Sequence, residues 1–349
     1  MNELQDIIGA IRPLRQEAKD AASVHLDNLT KPPGSLGKLE DMARQLAGIT
    51  GEIMPDMSRK AIVVMAADHG VCEEGVSAFP QEVTRQMVMN FLQGGAAVNV
   101  LARHAGAEVV CVDIGVNADL EHPDLLSRKV RKGTANMARE AAMTCDEALQ
   151  AIRAGIEVAD GLAGRGVRVL ATGEMGIGNT TASSALLSVL GGIAVEDAVG
   201  RGTGIDDARW LHKQEVVRRA IEVNKPDADD ALDVLAKVGG LEIAGLTGVI
   251  LGAAKNACPV VIDGFISSAA ALVASRLAPE SQPYMIASHQ SHEQGHGRML
   301  EAVGLGPMLH MDMRLGEGTG AALCFTLMDA AGKIMREMAS FESAGVSRG

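Results

Sequence analysis

Short apolar runs rich in β-branched residues recur along the chain, and each stops at a loop carrying Gly or Asp. AIVVMAADHG (61–70), EVVCVDIGV (108–116), VRVLATGEMGIG (167–178), PVVIDGF (259–265) and PYMIASH (283–289) read as buried strands, and MLHMDMRLGEG (308–318) as a weaker sixth. Between them lie helix-length segments whose apolar residues return at helical spacing, over 81–104, 144–163, 207–223 and 240–256. Continuous apolar strands alternating with such helices predict an α/β fold, a parallel sheet covered by helices on both faces. Sheets of this kind bind ligands in the loops at their strand C-termini. The first 55 or so residues lack strand character and read as helices joined by LTKPPGSLGKLE (29–40); residues 319–342 are again helical. The two ends are therefore expected to meet in a small helical subdomain of residues 1–55 and 325–349, beside a large α/β domain over 56–324. No tandem repeat or low-complexity segment stands out.

Composition narrows the function. With 47% hydrophobic and 22% charged residues the chain can bury a large core, but aromatic residues are only 2%. Any flat ring it binds must lie against aliphatic and Met side chains, of which the 18 methionines adapt well to such surfaces. The net charge of −12 argues against a broad nucleic-acid or anionic-membrane surface, which needs surplus Lys and Arg, but allows a small anion held by local donors. Five scattered cysteines with no C-x-x-C pair fit a reduced, cytoplasmic protein. The amphipathic, charged start MNELQDIIGAIRPLRQEAKD is not a signal peptide, and no run is long enough to span a membrane.

Three loops carry candidate chemistry. In GEMGIGNTT (173–181) a strand ends near Thr172, glycines follow at 173, 176 and 178, and Asn179 or Thr180 is placed to cap a helix. A glycine loop at a helix N-terminus suits phosphate or carboxylate, although the same residues also suit a tight turn needing positive φ. Glu174 beside it fits a ribose hydroxyl or ring N–H better than phosphate. The cluster GRGTGIDD (200–207) precedes Lys213, a candidate phosphate partner or else a solvated helix lysine. RLGEGTGAAL (314–323) holds one carboxylate, Glu317, between two glycines and ahead of a helical stretch. SHQSHEQGH (288–296) spaces His289, His292 and His296 so that a helix would turn them toward one metal, and Asp68-His69 could add ligands, but H-E-x-x-H is absent and Gly295 weakens the helix. Ser288 and Ser291 could equally donate to phosphate.

The ordered set LTKPPGSLGKLE, AADHGV (66–71), GEMGIGNTT, DVLAKVGG (233–240), DGF (263–265) and RLGEGTGAAL resembles the nicotinate-nucleotide:dimethylbenzimidazole phosphoribosyltransferase family across almost the whole chain. The resemblance implies a Rossmann-like sheet, a small helical domain from both ends, a homodimer, and neither metal nor cofactor. It implies transfer of the 5-phosphoribosyl group of nicotinate mononucleotide to 5,6-dimethylbenzimidazole, giving α-ribazole 5′-phosphate and nicotinate for the lower ligand of cobalamin. By position the catalytic base falls on Glu317, a second active-site acid on Glu174 and the phosphate lysine on Lys213. Gly176, Gly178, Asn179, Gly264 and Ser291 fall among the substrate-binding residues, and Phe79, Met87, Met175 and Leu315 near the base pocket. Phe79 and Met87 stand where relatives carry a small polar residue and a Gln, a departure that bears on base selectivity.

The residue types suit that reaction. The pyridinium leaves as neutral nicotinate and needs no general acid, whereas the attacking benzimidazole needs its other N–H deprotonated by one carboxylate. Glu317 is expected to draw its charge stabilisation from the helix that follows it. Attack opposite the pyridine inverts C1′. A hydrolase using Glu317 to activate water, a non-catalytic nucleotide sensor and a metal hydrolase are the rival readings.

Overall fold

The computed structural model describes residues 2–202 and 204–347; Thr203, within the second glycine cluster, and the terminal residues 1, 348 and 349 lie outside the described residues. Six parallel strands form the main sheet: β1 (Lys60–Ala67), β2 (Ala107–Gly115), β3 (Leu126–Ser127), β4 (Val169–Met175), β5 (Val260–Ile262) and β6 (Met285–Ala287). Their order is β3-β2-β1-β4-β5-β6, so the chain winds outward first one way and then the other from the β1/β4 junction. This is the doubly wound, Rossmann-like arrangement, whose reversal opens a crevice at the strand C-termini.

The sheet is buried on both faces, which is why its strands lack alternating polarity. Every residue of β1 is buried. Ala61, Val63, Met65 and Ala67 face one core with the helices Cys145–Gly164 and Leu241–Lys255. Ile62, Val64 and Ala66 face a second core, built from Gln16–Asn28, Lys38–Thr50, Ala97–Ala105 and Thr319–Glu337. Helices from both chain ends therefore meet on one face of the sheet. Leu29 bridges Ser340, and His25 Nε2 lies 2.8 Å from the Met335 carbonyl. The LTKPPGSLGKLE loop is closed by a buried Lys31–Glu40 ion pair at 2.7 Å.

Two sequence expectations need correction. The weaker sixth strand, 308–318, contributes only β8 (Leu309–His310), which pairs with β7 (His289–Gln290) outside the main sheet. The sixth strand of the sheet is β3, two exposed residues too short to leave a pattern. The single helix expected over 81–104 is two, Glu82–Leu92 and Ala97–Ala105, broken where Gly94 takes φ +76°.

Candidate active site

The loops following β1, β4, β5 and β6 enclose a cavity of about 640 Å³, within the size range of small-molecule sites. The twelve residues that the resemblance assigns to the site all line it: Glu317, Glu174, Gly176, Gly178, Asn179, Lys213, Gly264, Ser291, Phe79, Met87, Met175 and Leu315.

Glu317 is held with φ +64°, unusual for a residue with a side chain. Three neighbours fix it there. Its carbonyl packs onto Gly173, where any Cβ would collide with it, and its N–H donates to the Glu174 carboxyl. Asp263, just past β5, accepts from the N–H groups of Gly318 (3.1 Å) and Ala321 (2.9 Å) and so caps the helix Thr319–Glu337. That corrects the expected electrostatics: the N-terminus after Glu317 is taken by Asp263. The Glu317 carboxylate instead accepts from the Val98 N–H at 3.2 Å, in the first turn of Ala97–Ala105. Without the break at Gly94, Val98 would have bonded within a continuous helix. Burial raises the pKa of Glu317, the Val98 hydrogen bond opposes the rise, and Asp263 adds to it.

Glu174, next to last in β4 and buried, accepts from Asn179 Nδ2. Asn179 thus opens its helix without capping it; Gly178, at φ +96°, is the cap residue. Burial first, then the Glu242 and Asp263 charges, push Glu174 up to about 8. A Cβ on Gly316 would strike Glu174 Oε1, which explains the glycine on that side of the acid.

Lys213 is not the solvated helix lysine the sequence allowed. It is 1% exposed, and its Nζ donates to Thr180 Oγ1 at 2.8 Å. Burial brings it down to about 8, opposed by the Glu293 charge. Gly202 keeps this corner open, since a Cβ there would lie 3.0 Å from Thr180 Oγ1 and 3.3 Å from Lys213 Nζ. Arg314 reaches the same corner and donates to the Gly202 carbonyl at 3.2 Å. The opposite wall is apolar: Val76, Phe79, Val83, Met87, Met175 and Leu315.

The three histidines diverge. His296 is buried, accepts from the Ser291 N–H at Nδ1 (2.7 Å) and pairs through Nε2 with Ser268 (2.9 Å); burial lowers it to about 3, so it is neutral. His289 pairs with the Ser288 hydroxyl at 2.9 Å, whereas the His292 side chain is 67% exposed. His69 is spent on Glu242, 2.7 Å away and buried with it. Among the described residues, no group of three or more His, Cys, Asp or Glu side chains is placed to hold a metal ion.

Sequence reasoning missed Asp263, Thr180, Arg314 and Glu293 as site residues, and the Val98 amide altogether. The Asp-Gly pair closing the 259–265 run and the Gly94-Gly95 pair were the available signals.

A family model described as phosphoribosyltransferase matches residues 11–346. A nicotinate-nucleotide–dimethylbenzimidazole phosphoribosyltransferase from Chloroflexus aggregans is 57% identical over 99% of both chains, and one from a Geobacter species 52% identical over 99% of this chain and all of its own. This chain belongs to the nicotinate-nucleotide–dimethylbenzimidazole phosphoribosyltransferase family. The crystal structure of a member of that family from Thermus thermophilus superposes with a TM-score of 0.91 at 47% identity, covering 96% of this chain and 100% of the other. Similarity to the nicotinate-nucleotide–dimethylbenzimidazole phosphoribosyltransferases thus runs through every loop that lines the cavity.

Proposed function

We propose that this cavity transfers the 5-phosphoribosyl group of nicotinate mononucleotide to 5,6-dimethylbenzimidazole, the family's step in building the lower ligand of cobalamin, with Glu317 as the base. The observation that carries the assignment is one cavity holding a buried carboxylate, a buried lysine and an apolar wall at the strand C-termini. The ring lies against Phe79, Met87, Met175 and Leu315, with one N–H toward Glu317. The Val98 amide opposes the rise that burial and the Asp263 charge impose on Glu317. As the other ring nitrogen bonds to C1′, the N–H grows acidic and its proton passes to Glu317. The nicotinate pyridine departs from the opposite side, so C1′ inverts and the product is the α-nucleotide.

Lys213, Thr180, Arg314 and the glycine loop of Gly176 and Gly178, with Ser291, hold the 5′-phosphate. The phosphate dianion favours the charged lysine, which burial alone disfavours. Glu174 carries its proton at neutral pH in the free enzyme. It enters as a neutral acid, able to donate to ribose or ring, and the arriving pyridinium favours its ionisation. That accords with the sequence reading of an acid suited to a ribose hydroxyl or ring N–H. Holding both substrates in one desolvated cavity supplies much of the acceleration. The chemistry needs no metal or cofactor.

The same proposal extends to a homodimer acting in the cytoplasm, with chain-end helices forming a small unit beside the 56–324 domain. No helix among the described residues is long and apolar enough to cross a membrane, and the five cysteines are unpaired. Phe79 and Leu315 are 52% and 58% exposed at the cavity mouth, an apolar surface suited to cover by a second copy.

The test incubates nicotinate mononucleotide with and without dimethylbenzimidazole and follows products by chromatography and mass. Native protein should give α-ribazole 5′-phosphate, and Glu317→Gln should lose about 10²- to 10⁴-fold in kcat, the usual contribution of a positioned base. Equal nicotinate release without dimethylbenzimidazole would instead make the protein a hydrolase.

A further inference from the structure

Two of the sequence motifs, AADHGV and DVLAKVGG, put no residue on the cavity wall. The fold brings them together behind its glycine loop. His69, from the first, is 1% exposed, and its Nε2 lies 2.7 Å from Oε1 of Glu242, two residues past the second. Gly240 makes room for the pair, since a Cβ there would strike His69 Cε1 and lie 2.8 Å from Glu242 Oε2. The same histidine touches the glycine loop: a Cβ on Gly176 would lie 3.4 Å from His69 Cδ2, and one on Gly178 3.4 Å from His69 Cβ. Between these glycines, the Ile177 N–H donates to Thr84 Oγ1 at 3.1 Å and the Ile177 carbonyl accepts from Cys72 Sγ at 3.0 Å. The His69 carbonyl in turn accepts from the Cys72 N–H (3.2 Å) and from Gln81 Nε2 (3.1 Å). A loop of glycines does not hold its own conformation; this one rests on His69 and the turn that follows it. Asn179, next along the chain, donates to Glu174. Glu242 is wholly buried, and its Oε2 has no hydrogen-bond partner. Packing alone would be served better by apolar side chains than by a half-satisfied buried carboxylate.

We propose that His69, anchored on Glu242, is a positioning residue for the transfer, fixing the glycine loop under the 5′-phosphate and, through Asn179, the Glu174 carboxyl. This rests on the reading of the cavity as a phosphoribosyl-transfer site. Glu242 also acts on Glu174 through its charge: after burial, it is the largest influence that raises Glu174 to about 8. His69 and Asp68 are the other charged groups that face Glu242.

Two measurements that need no turnover test this. The first is calorimetric titration of ribose 5-phosphate. His69→Ala should bind it about tenfold more weakly than native protein, the scale of one hydrogen bond to a charged group. His69→Gln, whose amide can stand where Nε2 does, should restore binding. Should His69→Ala fail to fold around an unpaired Glu242, the double variant His69→Ala/Glu242→Gln leaves no such charge and should show the same tenfold loss. Native-like binding by either alanine variant overturns the hold on the loop and leaves the pair as packing. The second measurement is urea unfolding from pH 5 to 8, comparing Glu174 with Glu174→Gln in the native and the Glu242→Gln background. Glu242→Gln keeps an acceptor for His69 but removes the charge, so Glu174 should titrate lower and the pH-dependent difference should shrink. A role in packing alone would not move it, and an unchanged difference overturns the coupling to Glu174. If native protein transfers nothing, the reading of the reaction fails, while these two measurements still decide the role of His69 and Glu242.

Discussion

Two carboxylates meet in this site, both raised by burial and each opposed by different donors. Glu317 is as buried as Glu174 but rests on the first turn of a helix through the Val98 N–H, which opposes the rise. At Glu174 burial adds to the Glu242 and Asp263 charges, and the donors from Asn179 and Glu317 do not offset them. Its consequence for stability has a definite sign. The unfolded carboxyl ionises near its ordinary 4.5, the folded one near 8, so between these values the folded chain binds the extra proton. This contribution is fully present below about pH 4.5 and is lost as pH rises towards 8. Urea unfolding from pH 5 to 8 should therefore show native protein losing stability relative to Glu174→Gln across that window. Parallel curves would mean that Glu174 is already ionised when folded. The residue types were legible in the sequence because each acid stands in a glycine loop. Their electrostatic surroundings were not, because Val98, Glu242 and Asp263 come from distant segments.

Helix boundaries divide the same way. Cys145–Gly164 and Asp207–Asn224 begin close to where the sequence places them, because their caps are local: Thr144 bonds the Glu147 N–H, and Asp206 the Arg209 N–H. The break between Glu82–Leu92 and Ala97–Ala105 lies inside one continuous apolar pattern, and its use emerges only when Glu317 arrives from 219 residues away. Glycines of the central helix Leu241–Lys255 have a packing role that composition alone does not reveal. Gly248 lies against the Ile152 carbonyl and Gly155 against the Gly245 carbonyl, so two helices cross with backbones in contact. A Cβ at either position would overlap backbone, which cannot swing aside as a flexible side chain can. Gly248→Ala should destabilise the fold by about 1–3 kcal/mol or more, seen as a lower melting temperature, while activity per folded molecule stays near native. A variant of unchanged melting temperature would show that the helices can separate at little cost.

The β/α alternation and the parallel sheet were readable because strands buried on both faces leave unbroken apolar runs, whereas the two-residue β3 leaves none. Which loops converge was not readable from spacing, since that depends on strand order; the order β3-β2-β1-β4-β5-β6 brings Glu174, Gly264 and Ser291 to one edge. The proposed homodimer is tested by light scattering of the purified protein, where a mass of twice 36.3 kDa is expected and a monomer would remove the partner from the mouth of the cavity. Because the cavity wall is contributed by segments from Val76 to Glu317, a ligand that spans it ties most of the chain together. Nicotinate mononucleotide at about a hundred times its Kd should add about 2.7 kcal/mol to the folded state, raising the melting temperature. Glu317→Gln should keep that rise, since the base touches the other substrate. Lys213→Ala should lose most of it at the same ligand concentration, because a buried charge opposite the phosphate is gone. A full rise in Lys213→Ala would move the phosphate away from the lysine corner and leave the buried Lys213–Thr180 bond as packing alone.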